Sequence, residues 1–96
     1  MLDPTSPGAH AGLAVVLEND QDMVGARNEG RMSLKLQPTA EAYLVMARLD
    51  LAENKSASAA QNVDHALALD PANAAAVALK RDIASGTADK AASQHP

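Results

Sequence analysis

One phrase, Leu-Asp-Pro, recurs along this chain of 96 residues and constrains its fold more than any other feature. It stands at Leu2-Asp3-Pro4 and Leu69-Asp70-Pro71, with a one-residue variant at Leu36-Gln37-Pro38. The interval from Leu36 to Leu69 is one residue shorter than the interval from Leu2 to Leu36. Because proline cannot continue a helix, it ends one helix and opens the next. A helix-end signal at this spacing predicts an all-α fold of antiparallel helix-turn-helix repeats, stacked as a short α-solenoid.

The clearest version of the repeat end is Ala66-Leu67-Ala68-Leu69-Asp70-Pro71. A unit of about 34 residues that closes on Ala-Leu-x-Leu-Asp-Pro resembles a tetratricopeptide repeat, and the similarity covers roughly residues 1–85. Counted from the closing prolines, the family's packing positions fall in the first unit on His10, Leu13, Ala14, Leu17, Ala26, Gly30 and Ser33, and in the second on Leu44, Ala47, Arg48, Leu51, Ala59, Val63 and Ala66.

The chain departs from the family's pattern at several packing positions. Tryptophan and phenylalanine are absent from the chain, Gly30 replaces a large residue, and Arg48 replaces a small one. The second unit is also one residue shorter. Alanine-rich helices must then pack by close approach, and Gly30, one turn after Ala26, is interpreted as such a contact; a hinge is the alternative.

The resemblance implies a right-handed solenoid with repeats at about residues 5–38 and 39–71 and a capping helix at about 73–84. Helices are expected at about 7–18, 21–35, 39–53, from the Ser56 turn to Leu69, and at 73–84. The tail 86–96 has little to bury and is expected to be disordered. Because the chain opens on a repeat-closing phrase, we expect a C-terminal piece of a longer, bacterial-type array; a natural short protein with a degenerate first repeat is the alternative.

Local signals place the helix ends. Ser6, Asp20 and Ser56 are predicted N-caps, and Gly86 is predicted to stop the last helix. Apolar residues at helical spacing predict the inward faces, with Leu44 and Leu51 at the strongest packing positions. The predicted inward residues of the first two helices are Leu13, Val16, Leu17, Met23, Ala26, Gly30 and Leu34.

Composition excludes several functional classes. The chain has no cysteine, so neither a disulfide nor a thiolate metal site is possible. A formal net charge of −4 argues against nucleic acid, whose phosphates demand clustered Lys and Arg. No apolar run approaches the length that spans a bilayer, so membrane insertion is not expected. Cytoplasm and periplasm both remain open.

Residues for chemistry are scattered. His10, His65 and His95 lie far apart, and adjacent Asp64 and His65 would point in different directions on a helix. His10 is predicted to be a partly buried core residue, with a protonation switch as the alternative. Metal-binding, phosphate-loop and nucleophile motifs are absent from the sequence. We therefore expect no enzyme activity and no cofactor.

The resemblance implies that the first helix of each pair lines a concave groove for a protein or peptide. The positions carried over are Ala11, Val15, Ala42, Val45, Leu49, Ala78 and Asp82, with Gly8, Glu18, Asn19, Ala52, Glu53, Ala75 and Ser85 around them. Some family members hold a peptide carboxylate with basic residues, which these positions lack. The expected function is that of a scaffold with an apolar peptide groove; the alternative is a structural segment whose apolar helix faces form a homodimer.

Overall fold

A computed structural model describes residues 7–86, and these fold into five α-helices without a β-strand. The helices are α1 (Pro7–Asn19), α2 (Met23–Leu36), α3 (Ala40–Ala52), α4 (Ser56–Leu69) and α5 (Ala74–Ser85). The predicted all-α architecture with five helices is thus confirmed for the described part of the chain. The predicted Ser6 cap, the start of the first repeat and the tail beyond residue 86 lie outside it.

Polar side chains begin three of the helices. The Thr39 hydroxyl accepts a hydrogen bond from the Ala42 amide, and the Asn73 side chain accepts one from Ala76. Such caps satisfy backbone donors that the first helical turn leaves unpaired. At the other end of α5, Gly86 adopts a left-handed conformation with φ 77°, as its predicted role in stopping the helix requires.

Two predicted caps are wrong. Asp22, and not Asp20, is the N-cap of α2, and its carboxylate accepts a hydrogen bond from the Gly25 amide at 2.9 Å. Ser56 lies inside α4, whose N-cap is Lys55 without a side-chain cap. In both turns the helix starts at a different residue from the one that local sequence signals favoured.

Consecutive helices form the most extensive contacts, α1 with α2 and α3 with α4. Connections of three residues join them, so each pair is antiparallel. Helix α3 also contacts α1 and α2, and α5 contacts α4. One apolar cluster therefore lies among α1, α2 and α3, around Ala14, Val45 and Leu49, and a second lies among α3, α4 and α5, around Leu44, Val63 and Ala76.

The two helix pairs match each other at the interval that separates Leu36 from Leu69, which we call the repeat interval. Shifting the bounds of α1 and α2 by this interval gives those of α3 and α4. The two non-glycine residues with positive φ, Gln21 and Asn54, are separated by the same interval. Buried residues recur with it, in the pairs Ala11 and Leu44, Ala14 and Ala47, Ala26 and Ala59, Gly30 and Val63, Ser33 and Ala66. A further shift of α3 would start a helix at Asn73, whereas α5 starts one residue later, at Ala74.

Burial agrees with the predicted core only in part. Leu44 is 4% exposed, as predicted, and Leu51 is partly buried and packs against the same cluster. Val16 and Met23 were expected to face inward but are 53% and 36% exposed. Gly30 is a packing position: a Cβ there would lie 2.9 Å from the Met46 sulfur, so this glycine admits Met46 from α3.

The helices are short as well as alanine-rich. The longest have 14 residues. Among residues 7–86, no helix is long and apolar enough to cross a membrane.

Candidate functional site

The residues predicted to line the groove do not share one surface. Ala42 and Val45 are fully buried, and Ala11 and Leu49 are 1% exposed. Val15 is half-buried, whereas Ala78 and Asp82 on α5 are exposed. Val45 and Leu49 belong to the cluster that holds α3 against α1 and α2. These buried side chains are not available to a partner in this conformation.

The cause is a shift of one residue in α3. The prediction placed the groove positions of α3 one residue further along the chain than the repeat interval does. Helix α3 begins two residues after Pro38, and α5 begins three residues after Pro71, so the missing residue lies in the α2–α3 connection. One residue turns a helix by about 100°, which moves a position to the neighbouring face.

The corrected spacing leads to an open depression between α1, α3 and α5. Its volume is about 250 Å³, and it is lined by Val15, Glu41, Leu44, Arg48, Asn73 and Ala75. Three sets of positions on the first helices match one another: Gly8, Ala11 and Val15 on α1, Glu41, Leu44 and Arg48 on α3, and Ala75, Ala78 and Asp82 on α5. We call this depression, together with the matching positions Gly8, Ala11, Ala78 and Asp82 on the same helices, the first-helix groove. The residues of the predicted groove that are exposed or half-buried at these positions are Gly8, Val15, Ala75, Ala78 and Asp82.

Two intervals relate the three sets of groove positions: the repeat interval from α1 to α3, and a longer interval from α3 to α5. The set on α3 follows the set on α1 by the repeat interval. The set on α5 follows the set on α3 by an interval one residue longer, as the later start of α5 requires. Each set therefore occupies the same turns of its own helix.

An ion pair crosses the first-helix groove. The Nε and Nη2 atoms of Arg48 donate to the two carboxylate oxygens of Glu18 at 2.8 and 2.9 Å. The Arg48 side chain is 38% exposed and that of Glu18 is 16% exposed. The groove positions predicted from the sequence contain no basic residue, but Arg48 is among the residues that line this depression. Its planar fork is already matched by a carboxylate of the same chain.

The remaining polar groups of the groove lie at its rim. Glu41 is exposed in the first turn of α3, where a negative charge is favourable near the helix N-terminus. Asp82 is exposed on α5. The Asn73 side chain is engaged at the start of α5, as the acceptor for Ala76 and a donor to Asp70. The groove thus combines an apolar floor with an acidic rim.

A buried carboxylate that the sequence analysis missed joins three helices. Asp50 of α3 is 2% exposed. Its Oδ1 accepts a hydrogen bond from Arg27 of α2 at 3.1 Å, and its Oδ2 accepts from Ser58 and Asn62 of α4, each at 2.8 Å. Ser58 and Asn62 are one helical turn apart, which is the only sequence signal for this site. With three side-chain donors in place, the carboxylate is a structural tie between the two pairs.

Arg27 also reaches the surface. It contacts Glu53 at 3.2 Å, and Lys55 contacts the other oxygen of Glu53 at 2.9 Å. The hydrogen bond from Lys55, with the charge of Arg27, lowers the pKa of Glu53 from its usual value. These groups border an open cavity of about 310 Å³, lined by Met23, Val24, Arg27, Asn28, Arg31, Glu53 and Lys55. Three basic side chains, Arg27, Arg31 and Lys55, collect here, whereas Arg48 is the one basic residue that lines the first-helix groove.

The histidines do not form a reactive group. His10 is 16% exposed, as predicted for a partly buried residue, and its Nδ1 lies 2.6 Å from the Glu29 carboxylate of α2. His65 is exposed and stacks on Tyr43, with ring centroids 4.9 Å apart. His95 lies outside the described residues. In residues 7–86 there is no group of three His, Cys, Asp or Glu side chains that could hold a metal ion.

Comparisons with known proteins add no assignment. No family model matches the chain, and no curated protein or solved structure does so either. The tetratricopeptide resemblance consequently rests on the residues alone.

Proposed function

We propose that the chain is a non-catalytic protein-interaction module, built as a right-handed tetratricopeptide-like solenoid of about two repeats with α5 as its cap. The observation that carries this proposal is the first-helix groove, to which α1, α3 and α5 contribute matching positions. The recurrence of helix bounds and buried residues at the repeat interval supports the repeat architecture.

The shape of the groove favours a peptide or protein segment as the partner. At about 250 Å³ it lies below the usual range for pockets that enclose a small molecule, roughly 300–1,000 Å³. It is open to solvent and runs across three helices. Val15 and Ala75 offer apolar contacts there, which suit side chains of a segment lying along the surface.

A selection of random peptides on the purified chain tests this proposal. We expect selected peptides to lose binding by about tenfold or more when Ala75 and Ala78, both exposed in the groove, are replaced by arginine. Ala57→Arg and Ala68→Arg on exposed sites of α4 are the matched controls and should leave binding intact. Selected peptides that bind all variants equally would place the interaction elsewhere.

Self-association is a second candidate, and a specific surface favours it. Gly12, Leu13 and Val16 of α1 match Val45, Met46 and Leu49 of α3, which are buried against the first pair. Val16 is 53% exposed and Met32 on α2 is 44% exposed. Sedimentation over a wide concentration range tests this candidate. A dimer that Val16→Gln abolishes would support it, and a monomer throughout would remove it.

A further inference from the structure

The charged residues of the first-helix groove indicate which kind of peptide segment it would bind. We infer that its partner is an apolar peptide segment flanked by Lys or Arg side chains. The inference rests on the proposed function, because it describes the occupant of the same groove. The supporting observation is that Glu18 forms an ion pair with Arg48, whereas Glu41 and Asp82 form none with the residues that the structure describes.

The one basic group on the groove is already matched. Arg48 lies opposite Glu18, and two of its donors are used by the two oxygens of that carboxylate. The pair brings no net charge, and a carboxylate from a partner would have to displace Glu18 to gain the same contacts. A segment recognised by its C-terminal carboxylate or by acidic side chains is therefore disfavoured.

Two acidic groups on the groove remain unmatched. Glu41 on α3 and Asp82 on α5 are exposed, and their carboxylates form no ion pair with the residues that the structure describes. Glu41 lines the depression together with Val15, and Asp82 lies on α5 at the position that matches Val15 on α1. Charges near an apolar contact steer association and select partners of opposite sign. The complementary ligand has apolar side chains for the floor and basic side chains for the rim.

The distribution of basic side chains over the molecule supports the same conclusion. Arg27, Arg31 and Lys55 collect around the other large cavity, on α2 and the turn before α4. Arg27 and Lys55 are paired there with Asp50 and Glu53, so Arg31 carries the net positive charge of that surface. The first-helix groove keeps a net negative charge within a chain whose formal charge is −4.

Three end-blocked peptides of about ten residues test the inference; they share two leucines among alanines and differ in flanking residues that are all lysine, all glutamine or all glutamate. Binding to the isotope-labelled chain is followed by amide chemical shifts at Ala75 and Ala78. We expect the lysine peptide to bind about fivefold more tightly than the glutamine peptide and the glutamate peptide to bind most weakly. High salt should reduce these differences.

Matched charge removals locate the effect. Glu41→Gln with Asp82→Asn should abolish the preference for lysine, whereas Asp20→Asn with Asp64→Asn, which removes equal charge from exposed sites outside the groove, should preserve it. Glu41→Lys should reverse the order of the lysine and glutamate peptides. Thermal melts of all variants verify that these exposed changes leave the fold in place.

Each other outcome has a defined meaning. Groove shifts with a glutamate peptide that binds as tightly as the lysine peptide would overturn the inference and leave the proposed groove standing. A lysine preference that both double variants reduce equally would also overturn it, since general attraction to an acidic chain would then explain the binding. No shift at Ala75 or Ala78 with any peptide would overturn the proposed groove itself.

Discussion

Helices α1 and α3 carry matching positions, yet their environments differ. Val45, Met46 and Leu49 on α3 are at most 7% exposed because the first helix pair packs over them. Their counterparts on α1 are Gly12, Leu13 and Val16, of which Val16 is 53% exposed. Both helices have apolar residues at similar spacing. Burial at a given position therefore depends on whether the other helix pair packs against it.

The largest expected effect contrasts equivalent positions of the two helices. Replacing Val45 by Thr and Leu49 by Gln should lower the free energy of unfolding by about 4 kcal/mol or more, because polar groups would be buried without partners and apolar contacts would be lost. Val16→Gln, at the position that matches Leu49, should change it by only about 0.5 kcal/mol. Chemical denaturation monitored by circular dichroism measures both.

This contrast has a clear negative result. If the double variant of α3 unfolds at the same denaturant concentration as the parent, Val45 and Leu49 are not core residues. If Val16→Gln proves as damaging as the α3 changes, Val16 is covered in solution, which would favour self-association through α1.

Asp50 lies at the position on α3 that matches Leu17 on α1. The second prediction compares Asp50 with Glu53, because both carboxylates contact Arg27. Asp50→Ala should destabilise the chain by about 3 kcal/mol, because Arg27, Ser58 and Asn62 would lose their shared acceptor in a buried site. Glu53→Ala removes the exposed partner of the same arginine and should have little effect. Urea titrations of the parent chain and the two variants measure these changes. If Asp50→Ala has the same midpoint as the parent, the hydrogen bonds of Asp50 contribute nothing to stability.

The smallest expected effect distinguishes Gly30 from its counterpart Val63. Gly30→Ala should alter stability by no more than about 0.5 kcal/mol, because the gain in helix propensity is offset by the movement that Met46 must make. Gly30→Val, which copies the second pair, should cost about 1–3 kcal/mol through overpacking against Met46. Thermal melts compare the two, and a stabilising Gly30→Val would indicate unfilled space at this contact.

Much of the secondary structure could be predicted from the sequence. Proline spacing and apolar periodicity located all five helices to within a few residues, and Gly86 was identified as the last stop. Local chemistry also made Asp20 and Ser56 plausible caps, but α2 begins after Asp22 and α4 begins after Lys55. Such competition between adjacent polar residues is decided by tertiary packing.

The groove was harder to predict than the helices. The sequence shows that the second unit is one residue shorter, but it does not show where the residue is missing. Placing the loss after α3 selects Val45 and Leu49, whereas placing it before α3 selects Leu44 and Arg48. Asp50 was missed for a different reason: its partners come from α2 and α4, and hydrophobic periodicity contains no information about polar contacts between helices.

The carboxylate of Asp50, which accepts hydrogen bonds from α2 and α4, affects how the two helix pairs separate on unfolding. Apolar contacts are not directional, whereas the hydrogen bonds of Asp50 fix the positions of α2, α3 and α4 relative to one another. Separating the two helix pairs would break these hydrogen bonds together with the apolar contacts. Local opening between the pairs is therefore disfavoured. The hydrogen bonds of Asp50 thereby couple the two helix pairs, so we expect the pairs to unfold together.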